Sequence, residues 1–289
     1  RRVASGFSAD KTLGTASSFV DGAVTLADVK LAGAYRTVAV FGLGNGGRSI
    51  SALDITDTVS NSKTGTCVAS QTVAGPVPLW EYASADYGLT RSKPIVARVK
   101  RNGAEKFIAV VASGIDPTNA TAPWSKGRDV EALDMETGSR VWRFRAKCPV
   151  TTDLVANPIL AAGGFVTEVM FADYCGNVYR VPADTVNPNG WVPGAGAITV
   201  GTNADSTPIK AIFHVGGVGG IPPGEDRPVF GTLAVRQRNA SDTTVSIYLG
   251  TGGFESFNPS KQNAFIEIDS GNGAVLNTIA GTCAGGSCD

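Results

Sequence analysis

The 289-residue chain carries 25 basic residues, 25 acidic residues and a single histidine, for a formal net charge of zero. That balance argues against a nucleic-acid binder, which presents a strongly basic face, and no run of about 18 apolar residues exists to cross a membrane as a helix. Glycine, at 36 residues, stands well above its usual share of about 7%, no stretch sustains a helical period, and the class is all-β.

In chain order, residues 1–20 are polar and read as loop. Val20–Val29 (VDGAVTLADV) is expected to be the innermost strand of a first sheet. Thr37–Phe41 (TVAVF) is β-branched and apolar, as a buried strand should be. Gly42, Gly44, Gly46 and Gly47 then supply a permissive backbone for a tight reversal, and Ser49–Ile55 (SISALDI) returns as a second strand. Thr58–Val77 is a Ser/Thr/Asn-rich loop containing Cys67, and Pro78–Tyr82 (PLWEY) is the next strand. Pro94–Val99 opens a second sheet, with proline where its missing donor costs little. Lys100–Ala104 is a hairpin turn around Asn102-Gly103, Phe107–Val111 a buried strand, and Asp116–Lys126 an insertion. Val130–Leu133 and Val141–Phe144 complete that sheet. Asn157–Leu160 and Val166–Phe171 start a third around Gly163-Gly164, and Gly176–Val181 continues it. After the Asn187–Gly201 loop, Thr207–Phe213 and Pro228–Val235 are assigned to a fourth sheet, separated by the Gly/Pro-rich loop His214–Arg227. Ser246–Gly250, Ala264–Ile268 and Ala274–Ile279 finish it.

One ending recurs. Asp129–Phe144 (DVEALDMETGSRVWRF) and Asn263–Leu276 (NAFIEIDSGNGAVL) repeat the pattern of Ser49–Tyr82, and Gly176–Trp191 is a looser version. Each is a strand, an acidic turn bearing Gly or Asn, and a strand that often opens on Trp. A sheet module that cannot bury its own faces implies stacking, here a β-propeller of four-stranded blades with long loop insertions. The length admits about six or seven blades, yet four endings are clear. Residues 1–289 are therefore expected to be a partial or degenerate ring, cut from a longer chain whose upstream part is missing, since the sequence opens RRVASGF without Met or signal sequence.

Few residues suggest chemistry. The Gly42–Gly47 cluster resembles a phosphate loop, but such a loop needs a helix N-terminus next, and a strand follows. His214 sits in an apolar run with no nucleophile elbow in the chain, so it reads as a core or turn histidine. Asp54, Asp134 and Asp269 recur at one place in three repeats, which suits carboxylates accepting backbone N–H bonds in a turn better than acid–base pairs. Trp80, Trp142 and Trp191 recur at blade ends and are expected to pack between blades. Five cysteines without CxxC spacing, and one histidine, leave little for zinc or haem and favour disulfides in an oxidising compartment. Cys283 and Cys288 flank a short flexible loop, Cys148 and Cys175 flank the first strands of one blade, and Cys67 is left over. No catalytic, cofactor-binding or metal-binding set is expected.

Several strings together resemble the PilY-like type IV pilus tip-associated adhesin family, in its carboxy-terminal propeller domain. They are Tyr35–Val38 before Gly42-Leu43-Gly44-Asn45-Gly46-Gly47-Arg48, then Ala52–Asp57, Pro78–Tyr82, Tyr87–Thr90, Lys93–Arg98, Gly176–Arg180 and Leu249–Phe254. In order and spacing they cover most of residues 20–260. The resemblance implies an extracellular protein at the pilus tip, working with minor pilins in pilus assembly and contacting surfaces or host cells through its loops. Thr58–Val77, Asp116–Lys126, Asn187–Gly201 and His214–Arg227 are the loops best placed for that. It also implies a calcium loop before the Gly-Asn-x-Tyr strand. Here that turn, Leu160–Val166, offers Ala161, Ala162, Gly163 and Gly164 and no carboxylate, whereas calcium wants about six to eight oxygen ligands, so the ion is expected to be lost. The rival reading is a quinone-cofactor dehydrogenase, also a propeller with Ala-x-Asp and Trp repeats, but its adjacent cysteine pair is missing. A surface scaffold unrelated to pili is the third.

Overall fold

The computed structural model describes residues 20–56, 76–116, 124–184, 196–252 and 262–281, together with 283–284 and 287–288. Among these residues every regular element is a strand. The first sheet is β1 (Val24–Leu31), β2 (Ala34–Gly42), β3 (Ser49–Asp54) and β4 (Val77–Ala83), antiparallel neighbours in chain order. The second repeats it with β5 (Ile95–Arg101), β6 (Ala104–Ala112), β7 (Asp129–Asp134) and β8 (Arg140–Arg145). The third contains β9 (Val155–Ala156), β10 (Glu168–Ala172) and β11 (Asn177–Pro182). After β11 comes a hairpin, β12 (Ile198–Thr202) and β13 (Pro208–Ala211), and then β14 (Phe213–His214), which pairs with β11 as the sheet's fourth strand. The fourth is β15 (Ala234–Arg236), β16 (Ser246–Gly250), β17 (Asn263–Asp269) and β18 (Val275–Gly281). A short pair, β19 (Cys283–Ala284) and β20 (Ser287–Cys288), follows.

These sheets are propeller blades, and their cores are the seams between them. In β6, Ala109 and Val111 face the first blade and join Val38, Val40, Ile50 and Tyr87. Ile108, Val110 and Ala112 point the other way, to Phe144, Phe171 and Tyr179 at the next seam. This is why FIAVVA is apolar at every position rather than alternating: both faces of an inner strand are buried. A third seam joins Met170, Val178 and Phe213 to Ile247, Leu249 and Ile266. The first strands β1, β5 and β9 lie side by side. At the opposite extreme of each sheet, β4, β8 and β18 share one irregularity. Their registers slip by a residue at Leu79, Val141 and Leu276, and Trp80, Trp142 and Asn277 occupy the next position in each.

Several sequence assignments change: Asn157–Leu160 is not a strand, the two-residue β9 lying just before it, and Ile198–Gly201, read as part of a loop, lies in β12. Thr207–Phe213 belongs to the third blade, not the fourth, because β14 pairs with β11 while β13 is occupied by β12. Within Pro228–Val235, only Ala234 and Val235 enter a strand, and Val229 makes an isolated parallel bridge to Gly252. The predicted hairpin at Asn102-Gly103 is a two-residue turn with both φ positive, 50° and 79°, as Asn-Gly turns with twisted strands require.

Candidate functional site

The loops joining second to third strands, and the connectors between blades, meet at one end of the molecule. Each connector pairs with a neighbouring blade's loop, through bridges at Gly44–Thr90, Leu89–Ile115, Gly114–Val150 and Val229–Gly252. Gly44 adopts φ 59°, and a Cβ there would strike Asp21 and Gly22. The glycine cluster is thus a hairpin loop under close backbone approach, and it leads into β3. Asn45 is fixed by Asp21, which accepts from its backbone and side-chain amides at 2.6 and 2.7 Å, and Asn45 in turn accepts from Arg91. Asp116 is buried and accepts from Arg48 at 3.1 Å, with Lys126 at 3.6 Å.

The same end holds a disulfide between Cys148 and Cys175, whose Cα atoms lie 5.8 Å apart. It encloses the fully buried carboxylate of Asp173. That group accepts from the backbone amides of Cys148, Cys175 and Asn177, the Asn177 side-chain amide and the Tyr179 hydroxyl. Burial raises the Asp173 carboxyl above its usual range against those donors. Two sulfurs and a carboxylate stand close enough here to suggest a metal site, but the sulfurs are bonded to each other and the carboxylate lone pairs are taken. The arrangement is a covalent and polar anchor, and it fixes Tyr174, which makes edge-to-face contacts with Trp124 and Phe230.

His214 ends strand β14, paired with Asn177, and caps the turn that follows it. Its Nδ1 accepts from the Gly216 amide at 2.9 Å, which leaves the proton on Nε2, 3.1 Å from Asp226. That hydrogen bond is the main cause holding Asp226 below the usual carboxylate range. Asp54, Asp134 and Asp269 cap turns as expected: their Oδ1 atoms accept from the backbone amides of Thr56, of Glu136 and Thr137, and of Gly271. The tryptophans join blades. The Trp80 indole donates to Met135 O and the Trp142 indole to Ala183 O, both at 3.0 Å, and each acceptor lies just past the third strand of the following blade. At the next seam Arg180 takes that part, donating to Ser270 O at 2.8 Å.

A charged seam between the first two blades was not singled out in the sequence. Asp129 and Glu131 are buried on β7. Glu131 accepts from the Tyr87 hydroxyl at 2.7 Å and from Arg140 at 3.0 Å. Asp129 accepts from Arg143, and from Arg145 at 2.8 and 3.0 Å, and Asp86 reaches both guanidiniums. Burial pushes Asp129 up to about 6, against the pull of Arg143. The signal was present, as carboxylates at alternate positions of DVEALD answered by arginines in RVWRFR.

The turn where the resemblance implies calcium does not fit that ion. Its Gly163 carbonyl accepts from Arg98 Nη1 at 2.9 Å, and the same guanidinium lies 4.5 Å over the Phe165 ring. A cation already serves the turn, and no carboxylate lies within it. Of the remaining expectations, Cys67 and Trp191 lie outside the described residues, as do most of Thr58–Val77, much of Asp116–Lys126 and most of Asn187–Gly201. Cys283 and Cys288 are register partners in the backbone of β19 and β20.

Comparison with known proteins finds likenesses in both sequence and fold. The chain is 27% identical over 189 residues to a type IV pilus biogenesis factor PilY1 homolog of Xylella fastidiosa, covering 60% of this chain and 11% of that protein. The fold matches the crystal structure of the Pseudomonas aeruginosa PilY1 C-terminal domain with a TM-score of 0.54 at 22% identity, over 86% of this chain and 49% of that one. A looser likeness, with a TM-score of 0.40 at 15% identity, is to BamB from Moraxella catarrhalis, over 89% of this chain and 53% of that one. No family model matches the chain.

Proposed function

We propose that this PilY1-like C-terminal domain serves type IV pilus biogenesis as a non-enzymatic platform, working with minor pilins at the pilus tip and contributing to contact with surfaces or host cells. The observation that carries the reading is the agreement of two likenesses, in sequence to a pilus biogenesis factor and in fold to the PilY1 C-terminal domain. The chain spans a small part of the first and about half of the second, so the activity of the whole protein enters here as inference. The stitched loop end suits the role, because recognition on a rigid scaffold is carried by loops held in place. His214, Asp54, Asp134, Asp269 and the glycine cluster all hold adjoining turns in place, which supports a role in binding over one in catalysis.

Deleting the gene in its host is expected to reduce surface pili, and the protein is expected to co-purify with pili sheared from wild-type cells. Normal piliation without it, and its absence from sheared pili, would turn the assignment toward a surface scaffold. The turn at Leu160–Val166 is proposed to reject calcium. Titration calorimetry with calcium chloride is expected to show no heat that depends on Arg98. Visible absorbance after incubation with pyrroloquinoline quinone and calcium tests the dehydrogenase alternative, and a bound-quinone spectrum would revive it.

A further inference from the structure

The outer strands of the blades are not protected alike. A sheet edge exposes unpaired N–H and C=O groups and invites another strand unless charge, proline or a cover intervenes. In the first blade β4 carries Pro78 and Glu81, and in the second β8 carries Arg140, Arg143 and Arg145. In the third, β14 is two residues long and follows the β12–β13 hairpin, whose β13 packs against β11. In the fourth, β18 (VLNTIAG) has neither charge nor proline and, among the described residues, pairs on one side only, with β17. Every residue from Val275 to Ala280 is exposed, Ile279 to 63%. Past the slip at Leu276, Asn277–Gly281 runs in regular register, and among the described residues no strand covers its outer side.

We propose that β18 is a strand-pairing interface whose occupant is β18 of a second copy, joining two fourth blades into one continuous sheet. The composition of the strand carries the choice of partner. Two-fold antiparallel pairing sets a strand against itself, so a strand such as β8 would bring like charges together, which is destabilising. β18 has none to oppose. Centred on Thr278, the pairing places Thr278 against Thr278 and Asn277 against Ile279, with threonine pairs favoured across strands. The inference is independent of the pilus assignment.

Light scattering across a wide concentration range is expected to show the 29.7 kDa chain moving to twice that mass. Hydrogen exchange is expected to slow along β18 as the dimer forms. Asn277→Lys with Ile279→Lys, and separately Asn277→Glu with Ile279→Glu, change exposed side chains and should each give a folded monomer. Mixing the two should restore the dimer, because lysine then faces glutamate. A wild-type chain that stays monomeric, a dimer that forms without slowing exchange along β18, or charged variants that dimerise alone would each overturn the proposal. The exchange measurement needs no variant and decides the matter if either fails to fold.

Discussion

At the scale of single residues, turn chemistry decides what the sequence reveals. The hairpin between β1 and β2 is a two-residue turn through Ala32 and Gly33, with φ of 47° and 86°. Its counterpart between β5 and β6 uses Asn102-Gly103. An L-residue other than Asn, Asp or Gly in that left-handed region carries about 1–2 kcal/mol of strain, and Asn tolerates it best. Ala32→Asn is therefore expected to raise stability by about 0.5–1 kcal/mol, seen as a higher midpoint in urea, whereas an unchanged or lower midpoint would show the strain to be relieved elsewhere. The Ala32 amide donates to Glu136 through the backbone, so the substitution leaves that bond in place. Asp54, Asp134 and Asp269 were legible as caps for the same local reason, since an aspartate two residues before an amide finds it without help from the rest of the fold. Asp173 was not. Its donors come from Cys148 as well as from its own turn, and a donor so far along the chain leaves no mark near the aspartate.

At the scale of elements, the strands and their pairing within blades were largely readable, because β-branched runs and glycine turns are local signals. The joints between blades were half readable. The tryptophans announced themselves by repetition, but their acceptors, Met135 O and Ala183 O, are backbone carbonyls, which every residue has. Trp142→Phe removes a buried donor and leaves Ala183 O without it, for an expected loss of about 2 kcal/mol. Trp80→Phe, at a half-buried site, should cost less, and equal losses by denaturant unfolding would contradict the difference in burial. The third blade misled the reading because the β12–β13 hairpin intervenes between β11 and the strand that pairs with it. Its disulfide, by contrast, was anticipated from two cysteines flanking the blade. Reducing Cys148–Cys175, or replacing both with serine, frees a loop of sequence separation 27 and is expected to cost about 2–4 kcal/mol, measured as the difference between oxidised and reduced unfolding curves. A smaller effect would mean that the Asp173 hydrogen bonds hold the loop without the bond.

At the scale of the whole molecule, charge is balanced in number but not in environment. Most ionised groups stand in water, yet Asp129 is buried at the first seam beside Arg143 and Arg145, and its carboxyl titrates near 6 rather than in the usual range. In the unfolded chain the same group titrates near 3.9. Between those values the folded protein holds a proton that the unfolded chain has released, so stability from this group is fully present below about pH 4 and is lost as pH rises through about 6. The span of roughly two units corresponds to at most about 3 kcal/mol. Asp54 and Asp226 are held low and work in the opposite sense, losing stability as pH falls, so the net curve alone would hide the effect. Asp129→Asn isolates it, because the variant has no proton to exchange at that site. The stability of the wild type minus that of the variant, measured by urea unfolding at steps between about pH 4 and 7, is expected to decline across the window and level off above it. A flat difference would mean that the two guanidiniums outweigh burial and keep the carboxylate charged throughout, making the seam an ion-pair network insensitive to acid.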